Sequence, residues 1–288
     1  MYTGSFVALV TPFQGNGDVD FDAYGRLIDF QIAGGTNGLV PCGCTGEAAT
    51  LSHDEQKSII KFSVERIAGR IPVIAGTGSN NTREAVGLTR YAKEVGADGA
   101  LLITPYYNKP TPEGQIAHYR TIADEGLPVM LYNVPGRTGT KMSPETIAKM
   151  NEHPNIVSVK EACGSVDQVT QILHRCDINV MSGDDGLTLP MISVGGKGVV
   201  SVAANVVPGD VSELCRLANA GDFAGARKLH YKLVDLVEAL FVESNPLPVK
   251  AILAKMGLIE NNLRLPMTQI TDAGWAKVEP AAKALGLF

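Results

Sequence analysis

No apolar run in the sequence approaches the ~18 residues that a membrane-spanning helix requires, and the amino-terminal stretch Met1–Val10 lacks the charged start and long apolar segment of a secretory signal. Basic clusters are missing as well. Lys and Arg number 25 against 30 Asp and Glu, a net charge of −5, so neither nucleic acid nor an anionic membrane surface is an expected partner. The five cysteines (Cys42, Cys44, Cys163, Cys176 and Cys215) are too few for a disulfide scaffold and odd in number, which points to a reduced, cytoplasmic setting. Cys42 and Cys44 are separated by one residue and have no matching second pair, and the five histidines (His53, His118, His153, His174, His230) show no tight ligand spacing. No metal and no cofactor is expected.

What is present suits a large folded core. Hydrophobic residues make up 45% of the 288, enough for one large domain or two small ones. Eight short apolar runs begin near Gly4, Asn37, Ile71, Gly99, Pro128, Asn155, Ile178 and Lys197, and a helix-compatible stretch follows each. Ser52–Glu55 fits a capping box, Thr111-Pro112 and Ser143-Pro144 each set a capping residue before a first-turn proline, and Phe21, Tyr24, Leu27, Ile28 and Ile32 recur at helical spacing. Eight strand–helix units in one chain predict a closed parallel barrel, the (β/α)8 or TIM fold, over residues 1–221. Residues 222–288 read as a C-terminal helical extension packed on it, with helices over Phe223–Val242, Leu247–Gly257 and Thr271–Leu287. An open doubly wound sheet is the alternative. It favours a Gly-rich turn after the first strand, where Thr11-Pro12-Phe13 stands instead.

A (β/α)8 barrel carries its chemistry at the C-terminal ends of its strands. Lys160 ends the run Asn155–Lys160, where alternation puts Ile156, Ser158 and Lys160 on one face and Val157 and Val159 on the other. Of the 14 lysines, only Lys160 and Lys197 adjoin a strand core, and Lys197 lies at the start of its strand, the non-catalytic end. Burial lowers a lysine pKa, and a neutral amine forms a Schiff base with a ketone. A structural ion pair with Glu161 or Asp184 remains the alternative for Lys160. Tyr132 ends the preceding strand and offers a phenol for proton transfer or a satisfied core tyrosine. Arg137 follows in Tyr132–Gly139, suited to a carboxylate or to solvent. Tyr106 and Tyr107 point in different directions, one toward the site and the other toward an interface, unless both are core residues. Thr45-Gly46-Glu47 is a turn whose backbone N–H groups suit an anion. Asp184 and Asp185 disfavour a phosphate in the loop after the seventh strand. With Glu47 and Glu161 they make a conceivable Mg²⁺ set, equally well read as caps and ion-pair partners.

These segments together resemble the dihydrodipicolinate synthase family over essentially the whole chain. The resemblance rests on Gly4–Pro12, Thr45–Glu47, Pro72–Gly78, Thr104–Asn108, Tyr132–Thr138, Lys160–Ala162, Ser182–Asp185 and Asn245–Lys250. It implies condensation of pyruvate with L-aspartate 4-semialdehyde in the lysine and diaminopimelate pathway. By the resemblance, Lys160 would hold pyruvate as a Schiff base, Tyr132 would give and take protons, and Thr45 would bind the pyruvate carboxylate. Val200 would line the pyruvate site, and Arg137 would position the semialdehyde carboxylate. Tyr107 would reach into a neighbouring subunit's site, implying a homodimer or a homotetramer built as a dimer of dimers. Ala49, His53, Asn80, Glu84 and Tyr106 match the lysine-inhibitor site of sensitive relatives, while Ala48 and Gln56 depart from the serine and histidine found in some. Cys44 stands where the family usually has a threonine whose hydroxyl bridges the two relay tyrosines, and a thiol is the weaker donor and acceptor. Related sugar-acid lyases share the lysine and tyrosine. The Pro135–Thr138 loop favours the lysine-pathway reaction over theirs, and the joint presence of Lys160, Tyr132, Arg137 and Tyr107 argues against a non-catalytic pyruvate-binding barrel.

Overall fold

The computed structural model describes residues 2–288. Eight strands alternate with helices: β1 (Gly4–Ala8), β2 (Gly38–Val40), β3 (Ile74–Gly76), β4 (Gly99–Ile103), β5 (Val129–Asn133), β6 (Ile156–Glu161), β7 (Asn179–Ser182) and β8 (Gly198–Ser201). Every pairing is parallel, in the order β2-β1-β8-β7-β6-β5-β4-β3. A parallel bridge between Leu39 and Val73 joins the two ends of that order. At this seam the Gly76 N–H donates to Pro41 O at 2.9 Å, and a Cβ on Gly76 would lie 2.1 Å from Cys42 O, so only glycine fits. The result is a TIM barrel.

The helices between the strands are α1 (Phe21–Ala33), α2 (His53–Ile67), α3 (Thr82–Glu94), α4 (Pro112–Ala123), the single turn α5 (Pro135–Thr138), α6 (Pro144–Asn151), α7 (Val166–Arg175) and α8 (Thr188–Ser193), and α9 (Pro208–Asn219) follows the last strand. The extension adds α10 (Phe223–Ala239), α11 (Leu247–Lys255) and α12 (Asp272–Ala284). The helix starts follow the sequence signals. Ser52 and Glu55 form a reciprocal capping box, and Thr111 and Ser143 each accept a first-turn N–H ahead of a proline. Such caps are worth about 1 kcal/mol each.

Strand alternation separates two cores. Val7, Leu39, Leu102, Leu131 and Val180 face the helices. Phe6, Val40, Ile74, Leu101, Met130, Met181 and Val200 fill the barrel interior. Each such side chain contributes about 1.5–3 kcal/mol by leaving water. Two local expectations change. β3 starts at Ile74, later than the apolar run, because Pro72 has no N–H to give a ladder. On β6, Val129 pairs with Ile156 and Met130 with Ser158, so Val157 is bulged out. The bulge turns Ile156 into the helix-facing core beside Val159, instead of sharing the Lys160 face.

Candidate active site

Lys160 is the penultimate residue of β6, 5% exposed, its Nζ 4.2 Å above the centre of the Tyr132 ring. Among the described residues no carboxylate lies within ion-pair distance of it. Burial pulls its pKa from 10.5 down to about 8, with Arg137 adding to the fall and Cys44, Asp185 and Asp184 opposing it. The expected alternative partner Glu161 is engaged elsewhere. Its oxygens accept from Asn133 Nδ2 at 2.9 and 3.0 Å, and one also accepts the Cys163 N–H.

Tyr132 pairs with Lys160 in the β5–β6 register and is 6% exposed. Burial pushes its phenol well above 10, Cys44 pushes it further, and Arg137 acts in the opposite direction. Cys44 itself packs against the interior cluster that contains Tyr132, and Val200 lies in the same cluster, fully buried on β8. The site therefore sets a phenol held in its neutral form beside an amine whose pKa is lowered to about 8.

The loop after β2 is fastened at each residue. Thr45 is buried, and its Oγ1 accepts from Asn245 Nδ2 at 2.9 Å. The Gly46 carbonyl accepts from Thr11 Oγ1 at 2.7 Å. Glu47 adopts a left-handed φ of 56°, uncommon for a residue with a side chain, and its carboxylate meets Lys250 Nζ at 2.6 Å. Lys250 also donates to Thr11 O at 2.9 Å and lies 4.5 Å over the Phe13 ring. Burial lowers its pKa and Glu47 opposes that fall. Arg137, on α5, donates from Nη2 to Asn245 O at 3.1 Å.

Asn245 and Lys250 carried no assigned role in the sequence, although their motif was visible. Lys250 lies on a helix and not at a strand end, so the polar residues that close the apolar runs do not point to it. Asp185 has a structural duty. Asp185 accepts from Ser201 Oγ and from the N–H groups of Val202 and Ala203, at 2.9 and 3.1 Å, tying the β7 and β8 ends together.

Tyr107 stands apart. It is 91% exposed at a left-handed φ of 71°, so one chain does not bring it to Lys160 and Tyr132. The remaining predicted cluster lies on the neighbouring surface. His53 Nε2 is 3.9 Å from Glu84, Asn80 Nδ2 donates to Tyr106 O at 3.1 Å, and Ala49 is exposed on the short turn before α2. The Tyr106 phenol is raised by burial and by Glu84.

A parallel barrel with a buried lysine amine of lowered pKa at a strand end, next to a buried phenol, is an arrangement that suits a Schiff-base lyase. The comparisons narrow the class. Residues 1–285 match the model of the dihydrodipicolinate synthetase family, and the chain belongs to that family. It is 54% identical to the 4-hydroxy-tetrahydrodipicolinate synthase of Nitratidesulfovibrio vulgaris, over 100% of this chain and 99% of that one. The dihydrodipicolinate synthase structure from Aquifex aeolicus superposes with a TM-score of 0.97 at 48% identity, covering 99% of each chain. The Acinetobacter baumannii enzyme, solved in complex with pyruvate, gives a TM-score of 0.98 at 44% identity over the full length of both chains.

Proposed function

We propose that this chain condenses pyruvate with L-aspartate 4-semialdehyde to give 4-hydroxy-tetrahydrodipicolinate, a lyase step of lysine and diaminopimelate biosynthesis, and that Lys160 carries pyruvate during it. The observation that carries the assignment of Lys160 is its buried amine, with a pKa lowered to about 8 and no carboxylate partner among the described residues. The neutral amine adds to the pyruvate ketone, water leaves, and the iminium forms. Loss of a methyl proton gives the enamine, whose carbon attacks the semialdehyde aldehyde. The amino group of the second substrate then closes the ring on the iminium carbon and releases Lys160. Tyr132, neutral at working pH, donates the proton that lets water leave and takes protons back later.

Thr45 suits the pyruvate carboxylate. Its Oγ1 accepts from Asn245, which leaves the hydroxyl hydrogen free to donate to an anion. Arg137 suits the second carboxylate, and Val200 the pyruvate methyl group. The exposed Tyr107 suits a homodimer, or a dimer of dimers, in which it enters the partner's site near Cys44. His53, Asn80, Glu84 and Tyr106, with Ala49 beside them, suit a feedback site for lysine, with Glu84 facing the ligand ammonium. Five free cysteines fit a reduced, cytoplasmic compartment. We divide the chain into a barrel of residues 1–221 and an extension of residues 222–288 that completes the site through Asn245.

A coupled assay with pyruvate and the semialdehyde, run beside N-acetylneuraminate cleavage, tests the proposal. Turnover of the first pair and none of the second is expected. The reverse pattern would move the chain to the sugar-acid lyases.

A further inference from the structure

The buried pair Glu47–Lys250 lies outside the chemistry just described, yet it sits two residues beyond the hydroxyl assigned to pyruvate. Both side chains are out of water: Lys250 is 0% exposed and the Glu47 side chain 2%. Lys250 divides its ammonium among Glu47 Oε1, Thr11 O and the Phe13 ring, and each of these groups borders the mouth-side loops. Glu47 Oε2 has no partner among the described residues, so Lys250 alone holds the carboxylate. The backbone of Glu47 is left-handed, and its carbonyl accepts from Thr50, so the side chain and the turn are set together. Thr11, one of the Lys250 acceptors, also donates to Gly46 O. The turn of α11 that carries Lys250 follows directly on Asn245, which holds both Thr45 and Arg137.

We propose that Lys250 and Glu47 are positioning residues that lock the Thr45–Glu47 loop from the C-terminal extension and so set the affinity for the pyruvate carboxylate. The inference rests on the assignment of Thr45 to that carboxylate. The pair touches no substrate. It acts through the loop: an unlocked loop lets Thr45 turn away and weakens carboxylate binding, while the amine of Lys160 and the phenol of Tyr132 stay where β5 and β6 hold them. A salt bridge of purely structural value would change stability and leave the ratio of KM to kcat alone.

The test measures kcat, both KM values and Tm for Lys250→Met, Glu47→Gln and the double variant, beside borohydride trapping of pyruvate on the unaltered enzyme. The double variant removes both charges at similar volume, so it avoids stranding one buried ion. The KM for pyruvate is expected to rise about tenfold in all three, within the range that a misplaced binding group produces. The KM for the semialdehyde and kcat at saturating pyruvate should change less than about threefold. Tm should fall in the single variants and recover in the double one while the pyruvate KM stays high. A pyruvate KM that recovers together with Tm overturns the proposal, as does a uniform loss in both KM values and kcat, or a double variant that does not fold. Absence of a reducible pyruvate adduct in the unaltered enzyme would instead overturn the Schiff-base reading itself.

Discussion

Two lysines are buried in this molecule, and they are buried differently. Lys160 lies near the end of a strand, has an aromatic face above which to sit and, among the described residues, no carboxylate within ion-pair reach, and burial lowers its pKa to about 8. Lys250 lies on a helix of the extension and is saturated by a carboxylate, a carbonyl and a ring. Burial alone does not make an amine reactive: the site at β6 withholds the partner that the site at α11 supplies. An unpaired buried amine is costly for the fold and available for chemistry, whereas pairing offsets the cost of burial and occupies the amine.

The largest effect expected from this contrast is on turnover. Lys160→Met should lower kcat by at least about 10³-fold because the covalent route is closed, while Tm holds or rises as a desolvated amine disappears. A Tm drop without loss of turnover would reverse the roles of the two lysines. Lys250→Met should do the converse to stability, costing about 3–5 kcal/mol by leaving Glu47 buried without its cation. Chemical denaturation of the two variants side by side reads that difference directly.

Arg137→Ala sharpens the comparison within the site. A charged hydrogen bond is worth about 1.5–3 kcal/mol, so kcat/KM for the semialdehyde should fall about 10–150-fold. Pyruvate adduct formation should fall much less. Equal losses would mean that Arg137 serves mainly through its bond to Asn245.

The pH dependence separates a lowered amine from an ordinary one. Below a pKa of about 8 Lys160 carries its proton and is not nucleophilic. The observed rate of adduct formation should rise about tenfold per pH unit up to about pH 8 and flatten above it. A rise that continues to pH 10 would place the amine at its unperturbed value and remove the contrast with the surface lysines.

The smallest effect concerns Cys44. If its thiol links the relay between Tyr132 and a neighbour's Tyr107, Cys44→Thr should raise kcat a few-fold and up to about tenfold, because a hydroxyl recovers a hydrogen bond of about 0.5–1.5 kcal/mol. Cys44→Val should lower it, and Cys44→Ser distinguishes bonding from the bulk of sulfur. Unchanged kcat in all three would remove Cys44 from the relay.

Much of the architecture was legible in the sequence because parallel strands and capped helices leave local marks. The capping box at Ser52, the prolines after Thr111 and Ser143, and the polar groups ending each apolar run all stand where the structure uses them. Lys160 was legible for the same reason: a charge at the end of an alternating run is visible in six residues. The bulge at Val157 was not, since one extra residue in an apolar stretch leaves the composition unchanged. Nor was the contact of Lys250 with Glu47, whose partners lie 203 positions apart and meet only after the barrel has closed. Asn245 was hidden in the same way, 200 positions from the Thr45 hydroxyl it holds. Local patterns announce elements and strand-end chemistry, whereas the groups that hold that chemistry in place come from distant sequence.

The contrast between the two lysines meets its most direct test in borohydride reduction of the enzyme with pyruvate, followed by peptide mass analysis. The account predicts one adduct per chain, on the peptide containing Lys160, with the Lys250 peptide unmodified and labelling abolished in Lys160→Ala. An adduct on Lys250, or undiminished labelling in Lys160→Ala, would contradict it.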